Sequence, residues 1–120
     1  MRLLLDTHCW LWMELQPERF SAVTRALIES AGAELFLSAA SAWEIGLKHA
    51  AGKLPMPIPP LRYVEERLVR NAVTTLPITH AHALRSTGLP RHHRDPFDRL
   101  LIAQAQIEHI PLVKIGRAHV

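Results

Sequence analysis

Apolar residues follow two patterns along this chain. Two short unbroken runs, Leu3-Leu4-Leu5 and Leu35-Phe36-Leu37, lack the alternation of a half-exposed strand. They have the character of strands buried on both faces of a parallel sheet. Between and after them, apolar residues recur at helical spacing. The first strand, residues 2–6, leads into a helix starting near Thr7 or His8, in which Trp10, Leu11 and Met13 to Leu15 make a largely buried surface before Pro17 ends it. Ser21 is placed to cap a second helix reaching Ala31, with Ala22, Val23, Ala26, Leu27 and Ala31 as its inward stripe and Gly32 as its stop. Residues 34–38 read as the second strand and residues 39–51 as the third helix. Residues 53–60 hold four of the nine prolines, so an extended segment is expected. Residues 61–71 have the spacing of an amphipathic helix with Leu61, Val64 and Leu68 inward. Residues 73–78 form a β-branched strand, Thr79 caps a helix through Arg85, and residues 88–94 make a polar loop. The last helix buries Leu100, Leu101, Ala103, Ala105 and Ile107, and Pro111-Leu112-Val113 begins a final strand. Strands alternating with helices in this order predict an α/β sandwich around a mainly parallel sheet.

Composition narrows the class. At 120 residues and 48% hydrophobic content, one core is expected and two ordinary domains are not. A lone cysteine, Cys9, excludes an internal disulfide, and no secretory leader is read at the start, so a bacterial-type cytoplasm is the expected setting. No apolar run approaches the roughly 20 residues that span a bilayer. The formal charge of +3 suits a polyanionic partner such as RNA. That signal is small, because without Lys114 and Arg117 the balance falls to +1.

The chemistry gathers on acids. The chain has three aspartates: Asp6 closes the first strand, and Asp95 and Asp98 stand at the mouth of the last helix. Ligands collect at strand C-termini in open α/β sheets, which places Asp6 where chemistry usually occurs. Each acid also has a plain structural reading. Asp6 can cap the next helix. Asp95 before Pro96 has the form of an N-cap, and Asp98 suits the positive end of the helix dipole. Glu44 lies four residues before Lys48, the spacing of a surface ion pair, yet it sits between Trp43 and Ile45 in a turn that can overhang the cleft of Asp6. If Asp6, Glu44 and Asp98 converge, their repulsion calls for a hard cation such as Mg²⁺ or Mn²⁺ and implies metal-assisted phosphodiester hydrolysis. His8 and Cys9 lack the partners of a zinc site, and His80 and His82 point to different sides of their helix.

Four segments taken together, Leu3-Leu4-Leu5-Asp6-Thr7-His8, Ser38-Ala39-Ala40-Ser41-Ala42-Trp43-Glu44-Ile45, Gly52-Lys53-Leu54 and His93-Arg94-Asp95-Pro96-Phe97-Asp98-Arg99-Leu100-Leu101-Ile102-Ala103, closely resemble the PIN-domain toxins of the VapC type. The resemblance covers residues 2–113. It implies a PIN-like three-layer α/β/α sandwich and an Mg²⁺-dependent endoribonuclease, Mn²⁺ being an alternative ion. It also implies the toxin role in a toxin–antitoxin pair, with a homodimer that the cognate antitoxin blocks. Matched residue by residue, Asp6, Glu44 and Asp98 take the places of the family's catalytic, metal-holding acids, and Asp95 is a further metal-ligand candidate.

The family follows its last strand with a fourth acid, commonly in a Thr-x-Asp segment. This chain has no aspartate or glutamate after Glu108. Residues 114–120 are instead what the start of a common sequencing-library adapter encodes, and we expect a domain at 1–113, incomplete at its C-terminal end, followed by a non-native tail. Without the fourth acid and the final sheet edge, a catalytically inert fragment that only binds antitoxin or a second copy is the alternative function. A haloacid-dehalogenase-like phosphatase is disfavoured because position 8 is His, where that chemistry needs a second aspartate. Long genomic reads across residues 114–120 check the tail: a different sequence is expected there, and native codons for these residues overturn the expectation.

Overall fold

The run Leu3-Leu4-Leu5 becomes the central strand, as its lack of polar positions requires. The computed structural model describes residues 1–114 and the backbone of residues 117–119; residues 115, 116 and 120, on which part of the tail expectation falls, lie outside the described residues. In chain order the elements are β1 (Arg2–Leu5), α1 (Thr7–Leu15), a 3-10 turn (Pro17–Arg19), α2 (Ala22–Ile28), β2 (Glu34–Ser38) and α3 (Ala39–Ala50). Then come α4 (Pro60–Arg70), β3 (Val73–Leu76), α5 (His80–Thr87), α6 (Pro96–Glu108), β4 (Leu112–Lys114) and β5 (Arg117–His119). The sheet order is β3-β2-β1-β4-β5, with every pairing parallel except β4 with β5. Among the described residues no helix is long and apolar enough to cross a membrane.

Alternation along β1 divides the core into two layers. Leu3 and Leu5 enter one cluster with Trp10, Ile28, Leu37, Ile45, Tyr63 and Val64, while Leu4 enters the other with Ala40, Leu101, Ala105 and Leu112. Each fully buried leucine contributes about 1.5 to 3 kcal/mol relative to an exposed one. This is the α/β sandwich expected from the sequence, with a four-stranded parallel sheet at its centre.

Several local expectations are corrected. Helix α2 ends at Ile28 and turns Thr24 and Ile28 inward, leaving Val23 76% exposed. Ser21 fixes that phase, because its hydroxyl accepts from the Thr24 N–H at 3.1 Å and holds Thr24 beneath the cap. Helix α4 begins on Pro60 and buries Tyr63 beside Val64, so Leu61 faces solvent. Tyr63 meets Trp10 edge to face at 6.4 Å, a contact that Leu61 cannot make. Leu15, in the last turn of α1, is exposed. The sheet also has an edge strand, β5, where the sequence reading left it without one; an antiparallel neighbour needs no crossover helix.

Arg99 fastens the 88–94 loop to α6. Its guanidinium donates to the carbonyls of Ser86, Leu89, Pro90 and His93, four acceptors that a loop would otherwise leave to water. Arg99→Ala is expected to lower unfolding stability by about 1 to 3 kcal/mol and to speed amide exchange in residues 88–94. Arg99→Lys should recover little, because an ammonium cannot span the four carbonyls. Denaturant unfolding and hydrogen exchange measure both, and an unchanged midpoint in Arg99→Ala would dismiss the clamp.

Candidate active site

Asp6 is fixed by its backbone. Its N–H donates to Val113 at 2.9 Å, extending the β1–β4 ladder, and its carbonyl accepts from Trp10 at 3.0 Å, starting α1. The side chain makes no capping bond although the residue occupies the N-cap position, and the residue is only 8% exposed. A buried carboxylate not committed to its own helix is thus left at the end of the central strand. Burial raises its pKa above the ordinary value, and neighbouring Asp98 raises it further. His8, Lys114 and the Thr7 N–H pull it back, the His8 Nδ1 lying 4.0 Å from a carboxylate oxygen.

Helix α6 supplies the second acid. Pro96 starts the helix, and Asp95 is a working N-cap that accepts from the Phe97 N–H at 2.9 Å while remaining exposed. Asp98 follows in the first turn, half-buried and close enough to Asp6 to oppose its ionisation. The structure therefore gives Asp95 the capping role and brings Asp98 to Asp6.

Glu44 belongs to α3, which leaves the end of β2 with Ser38 accepting from the Ala40 N–H at 2.9 Å. It is 5% exposed, and Lys48 sits 2.8 Å from its Oε2. The predicted i,i+4 pair exists, but it is buried at its acidic end rather than on the surface. One turn earlier on the same face, the Ser41 hydroxyl accepts from the Thr7 hydroxyl at 2.8 Å, which docks α3 against the residue following Asp6. Trp43 and Phe97 meet edge to face at 5.1 Å and join α3 to the first turn of α6. Among the described residues no three His, Cys, Asp or Glu side chains form a ready metal cluster. Asp98 lies within charge-interaction range of Asp6, Glu44 is held by Lys48, and Asp95 is spent on its helix.

Sequence reasoning missed Thr7, Ser41 and Lys114 as neighbours of the site. Thr7 follows Asp6 directly and Ser41 precedes Glu44 by three residues, a spacing that places both on one helical face. That spacing was the available signal.

A family model described as PIN domain matches residues 3–116. Ribonuclease VapC22 of Mycobacterium tuberculosis is 34% identical over 107 residues, covering 88% of this chain and 79% of that protein. Ribonuclease VapC16 of the same organism is 42% identical over 69 residues, covering 56% of this chain and 49% of that protein. The matched segment thus spans about half the length of VapC16. A solved toxin–antitoxin complex from Klebsiella pneumoniae superposes with a TM-score of 0.63 at 17% identity, covering 93% of this chain and 84% of that one. At that identity the likeness is one of fold.

The raised pKa of Asp6 has a definite sign. Between the ordinary carboxylate pKa of about 4 and the higher native value, the folded state holds the proton more tightly than the unfolded state. Stability is therefore greatest below that window and falls as pH rises through the native pKa. In chelator-containing buffer, Asp6→Asn is expected to melt at a higher temperature than the unsubstituted chain at pH 7, with the gap closing towards pH 3. A variant equally stable or less stable at pH 7 would contradict the electrostatic burden assigned to Asp6.

Proposed function

The chain belongs to the PIN-domain family, and on that premise we propose that it is the ribonuclease toxin of a toxin–antitoxin pair, hydrolysing RNA phosphodiesters at a carboxylate-held Mg²⁺ or Mn²⁺. The observation that carries this reading is the buried, uncapped carboxylate of Asp6 beside that of Asp98. Hard oxygen donors of this kind suit Mg²⁺ and Mn²⁺, and Mg²⁺ commonly binds through one or two carboxylates while keeping waters. The donor set fits the ion, and neutralising the pair offsets the burial and the repulsion from Asp98 that raise the Asp6 pKa.

On this reading Asp6 and Asp98 hold the ion, and Glu44 completes the oxygen donors from α3, with Asp95 an outlying contributor. A bound ion supplies Lewis acidity, making water more acidic and offsetting charge on phosphoryl oxygens. The chain's own residues do the rest. Lys48 orients Glu44, the Thr7–Ser41 bond sets α3 against the strand end, and Arg91 and Arg94, exposed before α6, draw a polyanion to this end of the molecule. A cognate antitoxin, a homodimer, a cytoplasmic setting and a domain at residues 1–113 followed by a foreign tail belong to the same proposal.

The inert binding fragment remains the second reading, and one observation favours it. Lys114 puts a cation beside Asp6 at the end of β4, where the family pattern continues towards an acid. Incubation of antitoxin-free protein with mixed tRNA and rRNA separates the two readings. Cleavage is expected with Mg²⁺ or Mn²⁺, absent with EDTA, and reduced at least about 100-fold in Asp6→Asn and Asp98→Asn, since even residues that only orient metal ligands cost 10- to 100-fold. Mn²⁺ should also raise the melting temperature of the unsubstituted chain and not that of Asp6→Asn. A folded chain that neither cuts nor is stabilised by either ion overturns the nuclease reading in favour of the binding fragment.

A further inference from the structure

Resting on the nuclease reading, we infer that Trp43 is a stacking platform for a base of the RNA substrate, next to the phosphodiester cut at the Asp6–Asp98 site. An indole is seldom left in water without cause, yet Trp43 is 58% exposed while Glu44, the next residue, is buried. The ring is not loose. Phe97 meets it edge to face with the planes at 73°, which fixes its orientation and leaves indole surface open to solvent. Its position ties it to the site. Trp43 is one residue from Glu44 on α3, and Phe97 is one residue from Asp98 on α6, so the aromatic pair bridges the two helices that deliver acids to the strand end.

Chemistry selects the occupant. RNA bases freed from a helix are recognised by stacking on aromatic side chains, and every base has a face for it. Arg91 and Arg94, exposed in the loop entering α6, provide the positive charge that the adjoining phosphates need. A protein partner is the competing occupant, because Leu47 lies one turn beyond Trp43 on α3 and is also exposed. It is disfavoured because Phe97, which touches the indole, is flanked in the chain by the exposed Arg94 and by Asp98, so an apolar contact between proteins would have to bury charges beside it.

The test compares the unsubstituted chain with Trp43→Ala and Trp43→Phe in Mn²⁺-dependent cleavage of a single-stranded oligoribonucleotide, with sedimentation of each. Trp43→Ala is expected to raise KM about 10- to 100-fold, the effect of one stacked base, and to lower kcat as well because the contact with Phe97 is lost. Trp43→Phe should recover most of the loss, and all three should sediment alike. An unchanged KM in Trp43→Ala overturns the stacking platform while leaving the nuclease reading intact. Trp43→Ala sedimenting as a smaller species than the unsubstituted chain assigns the face to a second copy and also overturns it. If the unsubstituted chain does not cut, the nuclease reading has failed at its own step, and indole fluorescence then decides. Quenching by the oligoribonucleotide that is lost in Trp43→Phe upholds the platform, and quenching equal in both rejects it.

Discussion

Everything chemical in this molecule depends on where β1 stops. Leu3, Leu4 and Leu5 are enclosed by both helical layers, so the next residue begins its course inside the protein. Its backbone is held on one side by Val113 and on the other by Trp10, which denies Asp6 the freedom to swing into water. The hydrophobic effect that builds the sheet therefore forces a carboxylate into a poorly solvated place. The apolar clusters carry that burden, and the raised pKa of Asp6 is its electrostatic record.

The four candidate acids differ in what already satisfies them. Asp95 accepts a backbone N–H and needs nothing more to be stable where it is. Glu44 is more deeply buried but has an ammonium 2.8 Å away, and breaking such a pair would leave an uncompensated charge. Asp6 has less than either, since the Thr7 N–H gives only partial relief, His8 stands at the edge of ion-pair distance and Lys114 offsets part of the repulsion from Asp98. A cation arriving from solution has most to offer at the acid with least. This ordering separates Asp6 and Asp98 from Asp95 on physical grounds, whereas position at a helix mouth treats Asp95 and Asp98 alike.

Much of the fold was legible because its signals are local and unambiguous. Three leucines in succession exclude a half-exposed strand, and Asp95-Pro96 starts a helix under almost any tertiary arrangement. The face of α2 was not legible, because alanines at Ala22 and Ala26 fit either side and a single cap bond from Ser21 decided the phase. Buried polar residues escaped for a different reason. His82 and Gln104 are enclosed because the His82 Nδ1 accepts from the Thr79 N–H and its Nε2 faces Glu108 at 2.8 Å, while the Gln104 amide donates to the Pro77 carbonyl. Partners 26 and 27 residues away leave no trace in a local pattern. At the site, the Glu44–Lys48 spacing was visible and its depth was not, since burial of Glu44 follows from the docking of α3 and not from its own sequence.

That docking links the apolar and acidic halves of the site. Ser41 is hydrogen-bonded to Thr7 and, two residues on, Trp43 rests on Phe97, so α3 is registered against both the start of α1 and α6. Edge-to-face contact contributes about 0.5 to 1.5 kcal/mol beyond its buried area, comparable to the net value of the hydroxyl pair. Neither is large, yet together they fix translation and rotation of the helix. Because Phe97 immediately precedes Asp98, any shift of the aromatic contact moves the α6 acid relative to the α3 acid. The spacing of the acids is thus set by an uncharged contact. Charges repelling one another in a cleft cannot hold their own separation, so a rigid neutral contact beside them is what such a site requires.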